Sequence, residues 1–262
     1  MYTQVNGLKT FYSAGNGQFD PDQLSVLFVH GAGMDHSVWV LPSRHFARHG
    51  YNVVAVDLPG HGRSEGEAIA SISEMASWLK DLLSTLGIQK TAVVGHSMGS
   101  LVALNFAANY PELTRSLVLL GTSTPMPVAD MLLNAAEAND HDAIDMANIW
   151  SHSSFGQMGG NENPGINMTM SGQRLLERSA AGVFFTDLNA CNAFADGEAL
   201  AARIVSPAML IMGDQDKMTS PVSAKKVADN IENCQVVSLS PCGHAMLSEQ
   251  PNSVLDALKT MV

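Results

Sequence analysis

The chain has 262 residues, of which 46 % are apolar and 15 % charged, enough for a substantial core in one large or two small domains and far from a disordered composition. A formal net charge of −11 argues against nucleic acid or an anionic membrane surface as partner, since both need clustered Lys and Arg. Cys191, Cys234 and Cys242 are odd in number and lack metal-like spacing, and neither a secretory leader nor an apolar run of the ~18 residues a membrane span needs is visible; a reducing, cytoplasmic location is expected.

Between Leu24 and Gly121 short β-branched runs end in Gly-rich turns and are followed by amphipathic segments, the rhythm of βαβ units around a parallel sheet. Strands are predicted over 24–30, 51–57, 91–97 and 116–121, each nearly all apolar, as strands covered on both faces should be. Ser71 with Glu74 forms a capping box that opens a helix, and Gly87 closes it. From 122 to 202 the rhythm stops: the chain turns rich in Met, Asn, Ala and Gly, with helical stretches predicted over 131–147 and 174–192 and a looser segment over 151–165. This region reads as an inserted helical cap, although plain connecting helices account for the same residues. The rhythm then resumes with a strand over 207–213, a helix opened by Ser220 and Pro221, a strand over 235–239, and a last helix from Pro251 with Val254, Leu255 and Leu258 on one face. Residues 1–121 and 203–262 form the expected core domain.

Gly95-His96-Ser97-Met98-Gly99 follows an apolar strand and precedes the helical run 101–106, the strand, sharp turn and helix that a nucleophile elbow requires. A serine hydroxyl must lose its proton as it attacks, so it needs a base. His244, in the turn Pro241-Cys242-Gly243-His244-Ala245 after the last strand, is placed to reach the same sheet edge. The imidazole in turn needs an acceptor on its other nitrogen. Gly213-Asp214-Gln215-Asp216, just past a strand, supplies two carboxylates, and the residues alone leave both open.

The order Ser, Asp, His, together with His30-Gly31-Ala32-Gly33 after the first long strand and Asp57-Leu58-Pro59-Gly60-His61-Gly62-Arg63-Ser64 after the second, resembles the α/β-hydrolase family over almost the whole chain outside the cap. The resemblance implies an α/β fold, a mostly parallel central sheet flanked by helices with an inserted helical cap. It selects Asp216 as the acid, third after Gly213, and leaves Asp214 as a turn residue. It also implies an oxyanion hole from the backbone N–H groups of Ala32 and Met98. Asp57 and Arg63 then anchor loops, His30 bonds backbone behind the oxyanion turn, and His96 either packs in the elbow or lines the pocket.

Gly31, Trp39, Trp150 and Phe184 are the expected substrate contacts, Trp39 as an aromatic wall near the oxyanion turn or, equally, as a core residue; Trp150 and Phe184, like Phe155, Phe185 and the methionines from Met126 to Met170, either form the pocket or pack the helices. The activity implied is that of a serine carboxylesterase acting on small to medium acyl chains through an acyl-enzyme, without metal or organic cofactor, on a small-molecule ester, as a monomer or homodimer. Haloalkane dehalogenases and epoxide hydrolases of similar fold carry aspartate where this chain has Ser97. Carbon–carbon bond hydrolases of ring-cleavage products, lactonases and receptor-like ligand-binding proteins of the same fold share the triad and stay open. The first of these commonly carry Asn where this chain has His96.

Overall fold

The computed structural model of the chain describes residues 1–163 and 165–262. The expected looser segment includes Pro164, which lies outside the described residues. In chain order the elements are β1 (Tyr2–Val5), β2 (Leu8–Ser13), β3 (Leu24–Val29), α1 (Val40–Arg48), β4 (Tyr51–Val56), α2 (Ile72–Thr85), β5 (Thr91–His96), α3 (Met98–Asn109) and β6 (Thr114–Leu120). Then come α4 (Asp130–Glu137), α5 (Asp142–Ser151), α6 (Ser154–Gln157), α7 (Met168–Glu177), α8 (Val183–Ala193), α9 (Gly197–Ala201), β7 (Ala208–Gly213), α10 (Pro221–Asp229), β8 (Gln235–Leu239), α11 (Met246–Glu249) and α12 (Pro251–Lys259). Among the described residues no helix is long and apolar enough to cross a membrane.

One sheet of eight strands runs in the order β1-β2-β4-β3-β5-β6-β7-β8, antiparallel at the β1-β2-β4 edge and parallel from β4 onward. The pleat sorts its side chains between two cores by their parity in the strand. In β3, Val26 and Phe28 face a layer made with Trp39, Phe46, Val254 and Leu258, whereas Leu27 and Val29 face one made with Leu79, Leu82, Val102 and Val227. β5 and β6 divide the same way, with Val94 and Leu120 on the first face and Val93 and Leu119 on the second. That two-sided burial is why the central strands read as unbroken apolar runs. β1 and β2, which the sequence reading passed over, are edge strands with exposed Tyr2, Leu8 and Lys9 and no such run.

The parallel register aligns the C-terminal ends of the central strands: Val29 pairs with Gly95, His96 with Leu120, and Gly213 with Leu239. The turns that follow β3, β5, β7 and β8 therefore gather at one sheet edge, the usual ligand side of an open α/β sheet. Over that edge lie α4 to α8, which share a small core of their own around Leu132, Ala136, Ala147, Leu176 and Leu188. Each of the two long helices expected here is broken. Asn139 takes a left-handed φ of 53° between α4 and α5, and the turn before α8 reverses the chain at Gly182. α9 packs on α3 and contributes Leu200 and Ala201 to the main core.

Candidate active site

Ser97 sits between β5 and α3 with φ 54° and ψ −121°, a strained conformation for a non-glycine residue and one typical of functional turns. The glycines on either side make the turn physically feasible. A Cβ on Gly95 would lie 2.0 Å from the carbonyl oxygen of Gly99, and one on Gly99 would lie 2.3 Å from that of Val29. The elbow is fixed further by the Ser97 N–H donating to Leu120 O at 2.9 Å and the Ser100 hydroxyl donating to Ser97 O at 2.6 Å.

His244 lies in the loop between β8 and α11, and its Nδ1 donates to Asp216 Oδ2 at 2.8 Å. Asp216 also accepts at Oδ1 from the N–H groups of Met218 and Thr219, both at 2.8 Å, and at Oδ2 from the Thr219 hydroxyl at 2.7 Å. Burial pushes the Asp216 carboxyl upward, but the His244 charge and these hydrogen bonds outweigh it and hold the group below its usual range, as an anion. Asp214 does not touch the ring. It accepts from Cys242 N at 2.9 Å and from the Ser240 hydroxyl at 2.7 Å, bracing the loop instead.

The other ring nitrogen, His244 Nε2, is buried without a hydrogen-bond partner among the described residues, and both His244 and Ser97 line a cavity of about 170 Å³ under the helical layer. Ser97 and His244 are thus neighbours at one cavity without a hydrogen bond between them, a looseness common before a substrate is bound. Ala32 borders the same cavity, and neither its N–H nor that of Met98 has an acceptor among the described residues.

Trp150 and Phe184 line the cavity with Leu132, Leu188 and Met126. Gly31 lies against the Ser97 Cβ, where its own missing Cβ would sit 3.2 Å away, and stays behind the cavity wall. Trp39 is not a substrate contact but takes the core position that the sequence also left open: Asp35 caps the short 3-10 turn His36–Trp39, and the buried indole stacks on Phe28 with ring centroids 4.9 Å apart, inside the core. Phe155 is exposed, and Phe185 packs on the small core of the helical layer.

A family model described as "Alpha/beta hydrolase family" matches residues 26–257. The chain belongs to the alpha/beta hydrolase family. It is 29 % identical over 241 residues, 88 % of each chain, to a putative carbamate hydrolase RutD of Stutzerimonas stutzeri. It is also 29 % identical over 236 residues, 84 % of this chain and 80 % of the other, to a 2-hydroxy-6-oxononadienedioate/2-hydroxy-6-oxononatrienedioate hydrolase of Paraburkholderia phymatum. The enol-lactonase structure from Burkholderia xenovorans superposes with a TM-score of 0.87 at 20 % identity, over 99 % of this chain and 98 % of that one.

In this alpha/beta hydrolase several other histidines are held by specific partners. His30 Nδ1 donates to Gly31 O at 2.9 Å and its Nε2 accepts from Leu58 N at 3.2 Å; burial, then the charge on His61, lowers its pKa to about 4, so the ring is neutral. His96 Nε2 donates to His244 O at 2.9 Å, and burial, then His244, lowers its pKa to about 3. A neutral ring beside Ser97 thus ties the elbow to the loop that carries His244. Asp57 Oδ1 accepts from both the backbone N–H and Nδ1 of His36 at 2.7 Å, and its Oδ2 accepts from Arg63 N at 2.9 Å.

Three contributors escaped the sequence reading. Thr219 holds the Asp216 carboxylate, and its only advance signal is a hydroxyl three residues after Asp216, the spacing of a tight side-chain-capped turn. Glu249, buried at the end of α11, accepts from Gly243 N at 2.9 Å and from Ser153 N and Oγ, while Ala245 N donates to Ser151 O at 2.8 Å. The His244 loop is thereby stitched to the helical layer. Asp187 on α8 is the lone charge in VFFTDLNACNA, and it is fully buried.

Asp187 pairs with His61, whose Nε2 donates to Asp187 Oδ2 at 2.8 Å and whose Nδ1 donates to Pro59 O at 2.9 Å. Both nitrogens face acceptors, so the ring is an imidazolium. Burial works against that charge, but the Asp187 carboxylate and the carbonyl outweigh it and the His61 pKa is raised. The titratable groups facing the ring are Asp187 from α8, Asp57 after β4, and His30 after β3, with His36 held on Asp57. Removing one partner of such a buried pair costs ~3–5 kcal/mol. Because the folded value lies above the unfolded 6.5, the pair's stabilisation is complete below about pH 6.5 and is lost as pH rises through the folded value. The Tm difference between wild type and His61→Gln should shrink from about pH 6 to about pH 9; a difference that stays constant across that range contradicts the assignment.

Proposed function

We propose that this hydrolase cleaves carboxylic esters through Ser97 as nucleophile, His244 as general base and acid, and Asp216 as the group that fixes the imidazole. The observation that carries the reading is the single oriented ring: Nδ1 is bound to a carboxylate at 2.8 Å, and Nε2 is left unpaired at the cavity that Ser97 lines. The Ser97 hydroxyl attacks the substrate carbonyl carbon while His244 Nε2 takes its proton, and Asp216 stabilises the imidazolium that results. The oxygen that becomes negative lies between the unpaired N–H groups of Ala32 and Met98, each such donor being worth ~10²–10³ in rate. His244 then gives its proton to the leaving alcohol, a water deprotonated by the same nitrogen attacks the acyl-enzyme, and the acid departs.

The cavity supports a short acyl group. A volume of about 170 Å³ is close to the ~150 Å³ of an apolar cavity that holds benzene, which is room for roughly six to eight heavy atoms. Each methylene buried there contributes ~0.8 kcal/mol, about fourfold in kcat/KM, until the space is filled. With p-nitrophenyl esters, kcat/KM should rise from acetate through butyrate and fall at least about tenfold by decanoate. A profile still climbing at decanoate contradicts this size limit. The same machinery serves other acyl carbons, and 29 % identity to a carbamate hydrolase and to a hydrolase of an oxo-dienedioate makes both bond types the proper competitors in the same assay. Faster turnover of a carbamate or an oxo-dienoate than of any ester overturns the ester assignment. Cys191, Cys234 and Cys242 are all unpaired, which supports a reducing, cytoplasmic setting.

A further inference from the structure

The Asp57 to Ser64 turn and the α8 helix meet at a point that the triad does not account for. Asp187 Oδ2, besides accepting from His61, accepts from the backbone N–H of Gly33 at 2.8 Å. Gly33 directly follows Ala32, whose own N–H is unpaired at the cavity. Phe184, three residues before Asp187 and on the same helix face, presses on the same turn: a Cβ on Gly33 would lie 2.8 Å from the Phe184 ring. Two side chains of the helical layer therefore hold one peptide of the oxyanion turn, one by a charge-assisted hydrogen bond and one by contact. The carboxylate is fixed in turn by His61 from the core, so it has little freedom to follow the turn if the turn moves.

We propose that Asp187, locked by His61, is a positioning residue for the oxyanion hole, so that the core's ability to stabilise a tetrahedral intermediate depends on the helical layer being seated. This rests on the reading of Ala32 as an oxyanion donor. The turn has other restraints: Gly31 O, on the peptide that carries the Ala32 N–H, accepts from His30 Nδ1 at 2.9 Å and from Met34 N at 3.2 Å, and further along Asp57 accepts from His36 N and Arg178 pairs with Asp35. The Asp187 contact is on the peptide next to the donor. Without it the Gly33 N–H is left without its acceptor, and the Ala32–Gly33 peptide that flanks the donor loses its hold on the helical layer while Gly31 O keeps its own partners. Asn in place of Asp preserves the essential contact: its amide oxygen in the Oδ2 place accepts from both Gly33 N–H and His61 Nε2–H, and its nitrogen takes the place of Oδ1, which has no partner among the described residues.

The test compares Asp187→Ala and Asp187→Leu with Asp187→Asn in turnover of p-nitrophenyl butyrate and in the rate at which a fluorophosphonate modifies Ser97. The acceptor-less variants should lose about ten- to a hundredfold in kcat, less than the ~10²–10³ of losing a donor outright, with KM within about threefold and phosphonylation slowed in parallel. Asp187→Asn should recover kcat to within about threefold of wild type. Two acceptor-less variants guard against one failing to fold. Wild-type kcat in either, a loss confined to KM or Tm, or Asp187→Asn as slow as Asp187→Ala overturns the proposal. Failure of the wild type to hydrolyse esters counts against the ester reading instead, and the phosphonylation rates still decide the role of Asp187.

Discussion

Replacing Ser97 with alanine is expected to lower kcat/KM for p-nitrophenyl butyrate by ~10⁴–10⁶, the loss seen when a triad nucleophile is removed. The variant should fold. Alanine keeps the Cβ already accommodated beside Gly31, and the backbone hydrogen bond from residue 97 to Leu120 O does not involve the hydroxyl. What disappears is the one atom that forms the covalent bond, with the unpaired Nε2 of His244 left without a proton to collect. The remaining turnover, attributable to binding and the oxyanion hole, should exceed the spontaneous rate by ~10³ or more. Steady-state kinetics of a purified variant settles it, and an alanine variant with a tenth of wild-type activity refutes Ser97 as the nucleophile.

Asp216→Asn should cost ~10⁴ in kcat, by misdirecting a proton rather than by unfolding the loop. Oδ1 of Asp216 accepts two backbone N–H groups, from Met218 and Thr219, so the oxygen of an introduced amide must stay there. The amide nitrogen then faces His244 Nδ1 and the Thr219 hydroxyl where Oδ2 now stands. A donor in that place stabilises the imidazole tautomer with Nδ1 unprotonated and Nε2 protonated, which cannot accept the serine proton. Asp214→Asn should leave kcat within about threefold, because an amide oxygen can accept from Cys242 N and its nitrogen can donate to the Ser240 hydroxyl. The opposite ranking in kcat would transfer the role to Asp214.

The parts legible in the sequence are those where one residue type answers a local demand. β3 to β6 read as buried strands because both pleat faces are covered, and Gly95 and Gly99 announced the elbow because no side chain fits beside it. Ser71, whose hydroxyl accepts from Glu74 N, and Ser220, which accepts from Ser223 N, marked helix starts for the same reason. What stayed hidden depends on partners distant in the chain. β2 leans on β4 and β1 on β2, both with half-exposed residues and no apolar signature. Asp187 matters because residues 126 and 154 positions away, His61 and Gly33, converge on it. Trp39 stays open between pocket and core in the sequence because its spacing from the HGAG turn says nothing of the direction in which the 3-10 turn points its ring.

If the hydroxyl of Ser97 is the activated atom in this chain, a chemical trap will find it there. The enzyme is treated with a fluorophosphonate at neutral pH, digested, and its peptides are sequenced by tandem mass spectrometry while residual esterase activity is followed in parallel. One adduct is expected, on Ser97, growing in step with the loss of activity and absent from Asp216→Asn over the same interval. An adduct on any other residue that tracks inactivation, or full inactivation with Ser97 unmodified, would contradict it.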